Sequence, residues 1–161
     1  MGLTTSVKIP DLGPGAGYAL WGFRAAAIGH APCPVLLKGF DDAFGEYGGP
    51  ALGGLQMLAR ALGSKGGRRI TLAGPGCCCT TADELSVVAL LAAAQAENVP
   101  LCSAHLAWLM CGRNEESARA AAISVGTAFA SAGMTIEPPQ VEITGSGAAK
   151  PVNSYHSPGN A

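Results

Sequence analysis

Charge is scarce in this chain. Only 13% of its 161 residues are Asp, Glu, Lys or Arg, about half the share of an ordinary soluble domain. The two signs nearly cancel, 10 basic against 11 acidic, for a formal charge of −1. That balance excludes a polybasic nucleic-acid binder and an acidic disordered tail. It also leaves little charge to solvate a surface, so part of the surface is expected to face another protein. Long apolar runs are missing too. Mean hydropathy is high, at +0.29, yet the most apolar stretch, Leu85–Ala96, is shorter than the ~20 residues that span a bilayer. Met1–Pro14 carries one lysine and no apolar centre, which excludes a secretory signal there. The six cysteines include no C-x-x-C pair and no zinc-finger spacing. Three are consecutive, Cys77-Cys78-Cys79, and neighbours rarely bridge each other. Reduced thiols and a cytoplasmic protein are therefore expected.

What is present suits one helical domain. The length is that of a single domain with its own core, and 48% of the residues are hydrophobic. Met1–Pro14 reads as an extended arm, rich in β-branched residues and proline without a helical period. Residues 15–133 read as the helical domain. A first helix, Gly15 to Ile28, carries Leu20, Phe23, Arg24, Ala27 and Ile28 on one face. A second, Val35 to Phe44, aligns Leu36, Leu37, Phe40 and Phe44, and Gly45 with Gly48-Gly49 should end it. Pro50 should open a third, striped with Leu52, Leu55, Leu58 and Leu62. Gly53-Gly54 inside it softens its first turn or admits another helix at close range.

Arg68–Ala73 alternates like a short strand, too isolated to build a sheet. After Gly74-Pro75-Gly76, Thr81-Ala-Asp-Glu84 fits a capping box at the start of a helix running to about Glu97. Its Leu85, Val88, Leu91, Ala92 and Gln95 share a face. Pro100 should open a fifth helix ending near Cys111. Asn114 should cap a sixth, lined by Ile123, Phe129 and alanines and closed by Gly133. From Met134 onward Pro, Gly, Ser and Asn dominate, so 134–161 reads as an extended arm unable to order itself. The expected fold is all-α, a single domain of five to six short helices with extended N- and C-terminal arms.

Chemistry concentrates at Cys77–Cys79. Thiols beside a helix N-terminus can ionise more readily. Cys102 and His105 lie three apart on one helical face and, with a thiolate from the cysteine run, form a candidate zinc site: Cys77, Cys78, Cys79, Cys102 and His105. Cys111 points the other way. The competing reading makes the cysteines small apolar fillers, buried against Leu85, Val88 and Trp108, with no cofactor. A third reading takes Cys79 as a nucleophile, His105 as its base and Asp83 or Glu84 as the orienting group. The Gly13–Gly17 and Gly74–Gly76 segments lack the Lys-Ser/Thr of a phosphate loop. Lys65, Arg68 and Arg69 make a small solvated cluster without interleaved aromatics.

Arg68-Arg69-Ile70-Thr71, Gly76 through Glu84, the Leu/Ala helix to Gln95, and Ala104-His105-Leu106-Ala107-Trp108-Leu109 resemble a family of short bacterial helical proteins. The likeness covers Leu20 to Gly112. It implies a helical fold and assigns no activity and no catalytic residue. The functional expectation is a small non-enzymatic accessory or interaction subunit of a larger protein complex or a homo-oligomer, engaged through its terminal arms, with no nucleic acid and no membrane span. The alternative is a thiol-based metal-binding or redox protein using the Cys77–Cys79 turn.

Overall fold

Proline and glycine set the helix boundaries. Proline occupies the first or second position of three helices, where a missing N–H costs no hydrogen bond. The computed structural model describes residues 7–140 except His30, Gly66, Pro75 and Asn114. Among these lie six helices: α1 Pro14–Ala27, α2 Pro34–Phe44, α3 Gly48–Lys65, α4 Ala82–Gln95, α5 Val99–Met110 and α6 Glu116–Ser131. Two 3-10 turns, Ile9–Leu12 and Gly45–Tyr47, complete the regular elements. The fold is all-α, as expected. The cap assigned to Asn114 falls outside the described residues. Gly133, at φ +74°, follows the last turn of α6, the left-handed position that glycine fills at low cost.

Helix α3 is the hub, packed on α1, α2 and α6, while α4 packs on α5 and α6. The stripe Leu52, Leu55, Leu58 and Leu62 is buried throughout. Gly54 explains how close α6 comes. A Cβ there would sit 2.7 Å from the Val125 side chain and 3.3 Å from its backbone nitrogen, whereas Gly53 faces open space. Of the two readings of that glycine pair, close helix approach is the one observed. The core between α1, α2 and α6 is aromatic. Phe40 stacks on Phe44 at 5.1 Å, Phe44 meets Phe129 at 4.6 Å, and Tyr18 stands edge-on to Phe40 at 5.7 Å.

Some expected faces were drawn too wide. Leu37 is 45% exposed, Ile28 45% and Ile123 49%, because α1, α2 and α6 each bury a narrow stripe. Helix α4 errs the other way: from Asp83 to Ala94 only Ser86 is not buried. It is the central helix, apolar all round. Gly48 and Gly49 do not end α2. They form the first turn of α3, and Gly45, at φ +57°, makes the break.

The described parts of both arms dock on the helices. Thr80 donates its N–H and its hydroxyl to the Val7 carbonyl, at 3.1 and 2.7 Å, and Ile9 N–H donates to the Cys78 carbonyl at 2.8 Å. Leu12 is 4% exposed. At the other end, Gln95 clasps the chain with both amide atoms. Its Nε2 donates to the Met134 carbonyl at 2.9 Å and its Oε1 accepts from Ile136 N–H at 2.7 Å. Ile136 is 2% exposed. Gly15 admits this strand of chain, since a Cβ there would overlap the Thr135 carbonyl. The expectation that nothing after Gly133 orders itself is thus corrected for residues 134–140. Ile136 and Pro139 are buried, Met134 packs on the core, and the Gln95 amide ties the backbone down. Residues 1–6 and 141–161 lie outside the described residues.

Candidate functional site

The site is assembled on the first turn of α4. Thr81 and Glu84 form the expected capping box: Glu84 N–H donates to Thr81 Oγ1 at 3.1 Å, and Thr81 N–H donates to Glu84 Oε2 at 2.9 Å. Glu84 is fully buried. An isolated carboxylate there would be prohibitive, and a buried arginine from α1 neutralises it. Arg24 Nε donates to Glu84 Oε1 at 2.6 Å and Nη2 to Oε2 at 2.9 Å. The same guanidinium then reaches past the carboxylate. Nη1 donates to the Cys77 carbonyl and Nη2 to the Cys79 carbonyl, each at 2.7 Å. Hydrogen bonding to Glu84 holds the Arg24 guanidinium above its ordinary range, against the opposing effect of burial.

A second pair repeats the device one residue earlier. Arg68 donates twice to Asp83, at 3.0 and 2.6 Å. Its guanidinium also lies 4.9 Å over the Trp108 ring, and its Nε donates to the Trp108 carbonyl at 3.2 Å. Burial pushes the Asp83 carboxyl up. The hydrogen bonds from Arg68 and from Thr71 N–H outweigh that and hold it below the usual range.

The strand-like segment Arg68–Ala73 pairs with no strand. Its alternate amides face one way and meet side chains instead. Thr71 N–H donates to Asp83 Oδ2 at 2.7 Å, and Ala73 N–H to Glu84 Oε1 at 3.1 Å. Two adjacent carboxylates at a helix start thus take the role of a neighbouring strand. Thr81 Oγ1 closes the loop by donating to the Thr71 carbonyl at 2.6 Å. No buried side-chain nitrogen or oxygen among the described residues lacks a partner.

The three cysteines ride on this frame. All three carbonyls are engaged, two by Arg24 and that of Cys78 by Ile9. The side chains of Cys77 and Cys78 are exposed and that of Cys79 is half-buried. Cys79 N–H donates to Cys77 Sγ at 3.4 Å. Burial of these thiols against Leu85, Val88 and Trp108 was expected and does not occur. Trp108 itself is 58% exposed. The loop turns its backbone inward to satisfy Arg24, which leaves the thiols outside.

The remaining candidates lie elsewhere. Cys102 is buried in α5, where burial pushes its thiol up against the opposing charge of Arg119. His105 is half-buried on α5, and burial pushes its imidazole down to about 4. Among the described residues no group of three or more His, Cys, Asp or Glu side chains is placed to hold a metal ion. Cys77, Cys78, Cys79, Cys102 and His105 are therefore not gathered as one ligand set. Asp83 and Glu84, the expected orienting groups, are ion-paired with Arg68 and Arg24.

Sequence reasoning missed two partners. Arg24 was placed on the apolar face of α1 without a role, and Arg68 in a solvated cluster. An arginine inside an apolar stripe, in a chain with paired carboxylates at a helix start, is the signal that pointed to them.

Helix α5 supplies a second feature. It contains no charged residue. Cys102, Leu106, Leu109 and Met110 are buried, while Val99 is 66% exposed and Trp108 58%. Pro100, Ala104 and Ala107 are exposed as well. Beside α1 there is also an open groove of about 410 Å³ lined by Pro10, Gly13, Pro14, Gly17, Tyr18 and Trp21. It holds no titratable group other than Tyr18. Among the described residues no helix is long and apolar enough to cross a membrane. No family model, curated protein or solved structure matches the chain.

Proposed function

We propose that the protein is a non-enzymatic accessory subunit of the cytoplasm that works by binding another protein chain. The observation that carries this reading is helix α5, which has no charge and shows apolar side chains on both faces. One face is buried against α4. The other presents Pro100, Ala104, Ala107 and Trp108 to solvent, a pattern of interaction surfaces rather than of ordinary surface helices. Engagement of both first-turn carboxylates of α4 by arginines also supports a role without acid–base chemistry. The terminal arms add contacts through the residues beyond 7–140. The test is affinity capture of the native chain and of an Ala107→Glu variant, followed by mass spectrometry. A partner held by the first and lost by the second supports the reading. Equal capture by both counts against it.

A second reading has its own observation. The exposure of Cys77 and Cys78 on a loop held from behind by Arg24 favours thiol chemistry, with a thiophilic metal ion such as zinc, or a disulfide, as the reactant. Fast labelling of the native protein by a thiol reagent, together with metal uptake lost on Ser replacement of Cys77–Cys79, supports it. Slow labelling and no uptake remove it.

A further inference from the structure

We infer that the outer face of α5 binds a second copy of this chain, helix against helix and antiparallel. The inference rests on the interaction reading above and names the partner. Pro100, Ala104 and Ala107 fall within about 60° of one another around the helix, and Trp108 flanks them. Trp108, 58% exposed, supplies the apolar bulk and the alanines allow the two backbones to approach, whereas Val99, nine residues from Trp108, lies on the other side of the helix. The opposite side of the helix is committed to α4.

Charge selects a second copy and its orientation. Both arginines flanking the face are already engaged, Arg68 with Asp83 and Arg119 with Glu115. Within the helix there is no charge to repel its own image. At its ends the signs differ. Glu97 is exposed just before α5, and Arg113 is exposed just after it. Two helices crossing near residues 104–107 with opposite directions set each Glu97 beside the other copy's Arg113. A parallel pair would set like charges together at both ends. A face whose two ends attract each other in one arrangement only is self-complementary about a twofold axis, which is what an isologous contact requires. A single helix pair buries less than a standard interface of ~800 Å² per partner, so the dimer should be weak and concentration-dependent.

Sedimentation velocity of the full chain across the micromolar range tests this. The wild type should move from monomer to dimer. Ala107→Glu places a charge at the centre and should weaken association at least ~30-fold, with an unchanged circular-dichroism melt. Arg113→Glu should weaken it by several-fold, and the double exchange Glu97→Arg with Arg113→Glu should restore it to within about twofold of wild type. A chain that dimerises but ignores both Ala107→Glu and the charge exchange overturns the inference. So does a chain that stays monomeric at every concentration. In that last case the capture experiment separates the two ideas. A monomer that still loses a partner on Ala107→Glu keeps the interaction face and rejects the second copy. A monomer that captures nothing rejects both.

Discussion

The loop Arg68–Thr81 and helix α5 lie side by side, joined by Arg68 stacked on Trp108. The loop has no repeating hydrogen-bond pattern, yet its polar groups are matched one by one by Arg24, Arg68, Asp83 and Glu84. Helix α5 is regular and internally satisfied, but its outer face is exposed apart from Arg68 over the Trp108 ring. Order and completeness are therefore separate properties. The irregular segment is finished by charge, and the regular one is left open by the lack of it.

The comparison is broken most sharply at Arg24. Arg24→Met leaves Glu84 buried with its charge and frees the carbonyls of Cys77 and Cys79. A loss of about 3–5 kcal/mol is expected, since removing one partner strands the other. Replacing both, Arg24→Met with Glu84→Leu, should recover much of it, because two apolar groups leave no stranded charge. Urea unfolding of the three proteins checks this. If the double variant is no better than the single one, the carbonyl contacts matter more than the ion pair.

Next in size is the N-terminal segment that backs the loop. Leu12→Ala should cost about 2–4 kcal/mol, a buried leucine being truncated beside the α1 start. Cutting the chain after Gly13 should cost more and should speed thiol labelling at Cys78, whose carbonyl is held by Ile9. An unchanged melt on truncation would mean that the bridge between Lys8 and Cys79 contributes little.

Acidity separates the two regions. The His105 imidazole in α5 sits at about 4 rather than 6.5. Below pH 6.5 the unfolded chain takes up a proton that the folded chain refuses until about pH 4. Stability should therefore fall through that window, and His105→Gln should flatten the slope. Asp83, held below its usual range, acts later. Its contribution is present above the ordinary carboxylate range and is lost as pH falls below it. Unfolding midpoints at a series of pH values distinguish the two windows.

Much of this was legible in the sequence. Local signals were strong wherever one residue fixes one backbone group: the Thr81/Glu84 box, the prolines at helix starts, the glycines at helix ends. The leucine stripe of α3 was equally clear, because four leucines at helical spacing admit one face. Three things were not visible. The all-round burial of α4 follows from its central place, which periodicity cannot report. The docking of 134–140 involves the Gln95 amide, room left by Gly15 and burial of Ile136 and Pro139. The outward turn of Cys77 and Cys78 depends on Arg24, which lies 53 residues from Cys77. Each is a contact across the fold, and composition favoured the opposite answer for small apolar thiols.

Thr81→Ala tests the local signal itself. It removes the cap on Glu84 N–H and the hydroxyl bond to the Thr71 carbonyl. The cap alone gives a loss of about 1 kcal/mol, well below that at Arg24. A larger loss would show that the Thr71 contact adds to the cap in holding the loop.

The smallest stability effect is expected on the open face of α5, and there the smallness is the point. Ala107 is exposed, so a longer side chain there can extend into solvent. Glutamate is a good helix former, so the intrinsic cost of Ala107→Glu is a few tenths of a kcal/mol. Surface changes away from caps, cores and ion pairs usually stay within about 0.5 kcal/mol. The unfolding midpoint, measured dilute enough that the chain is monomeric, should thus barely move. Association should fall at least ~30-fold. If instead the dilute midpoint drops by more than about 1 kcal/mol, Ala107 is packed within the chain, α5 is as finished as the loop, and the contrast between the two regions disappears.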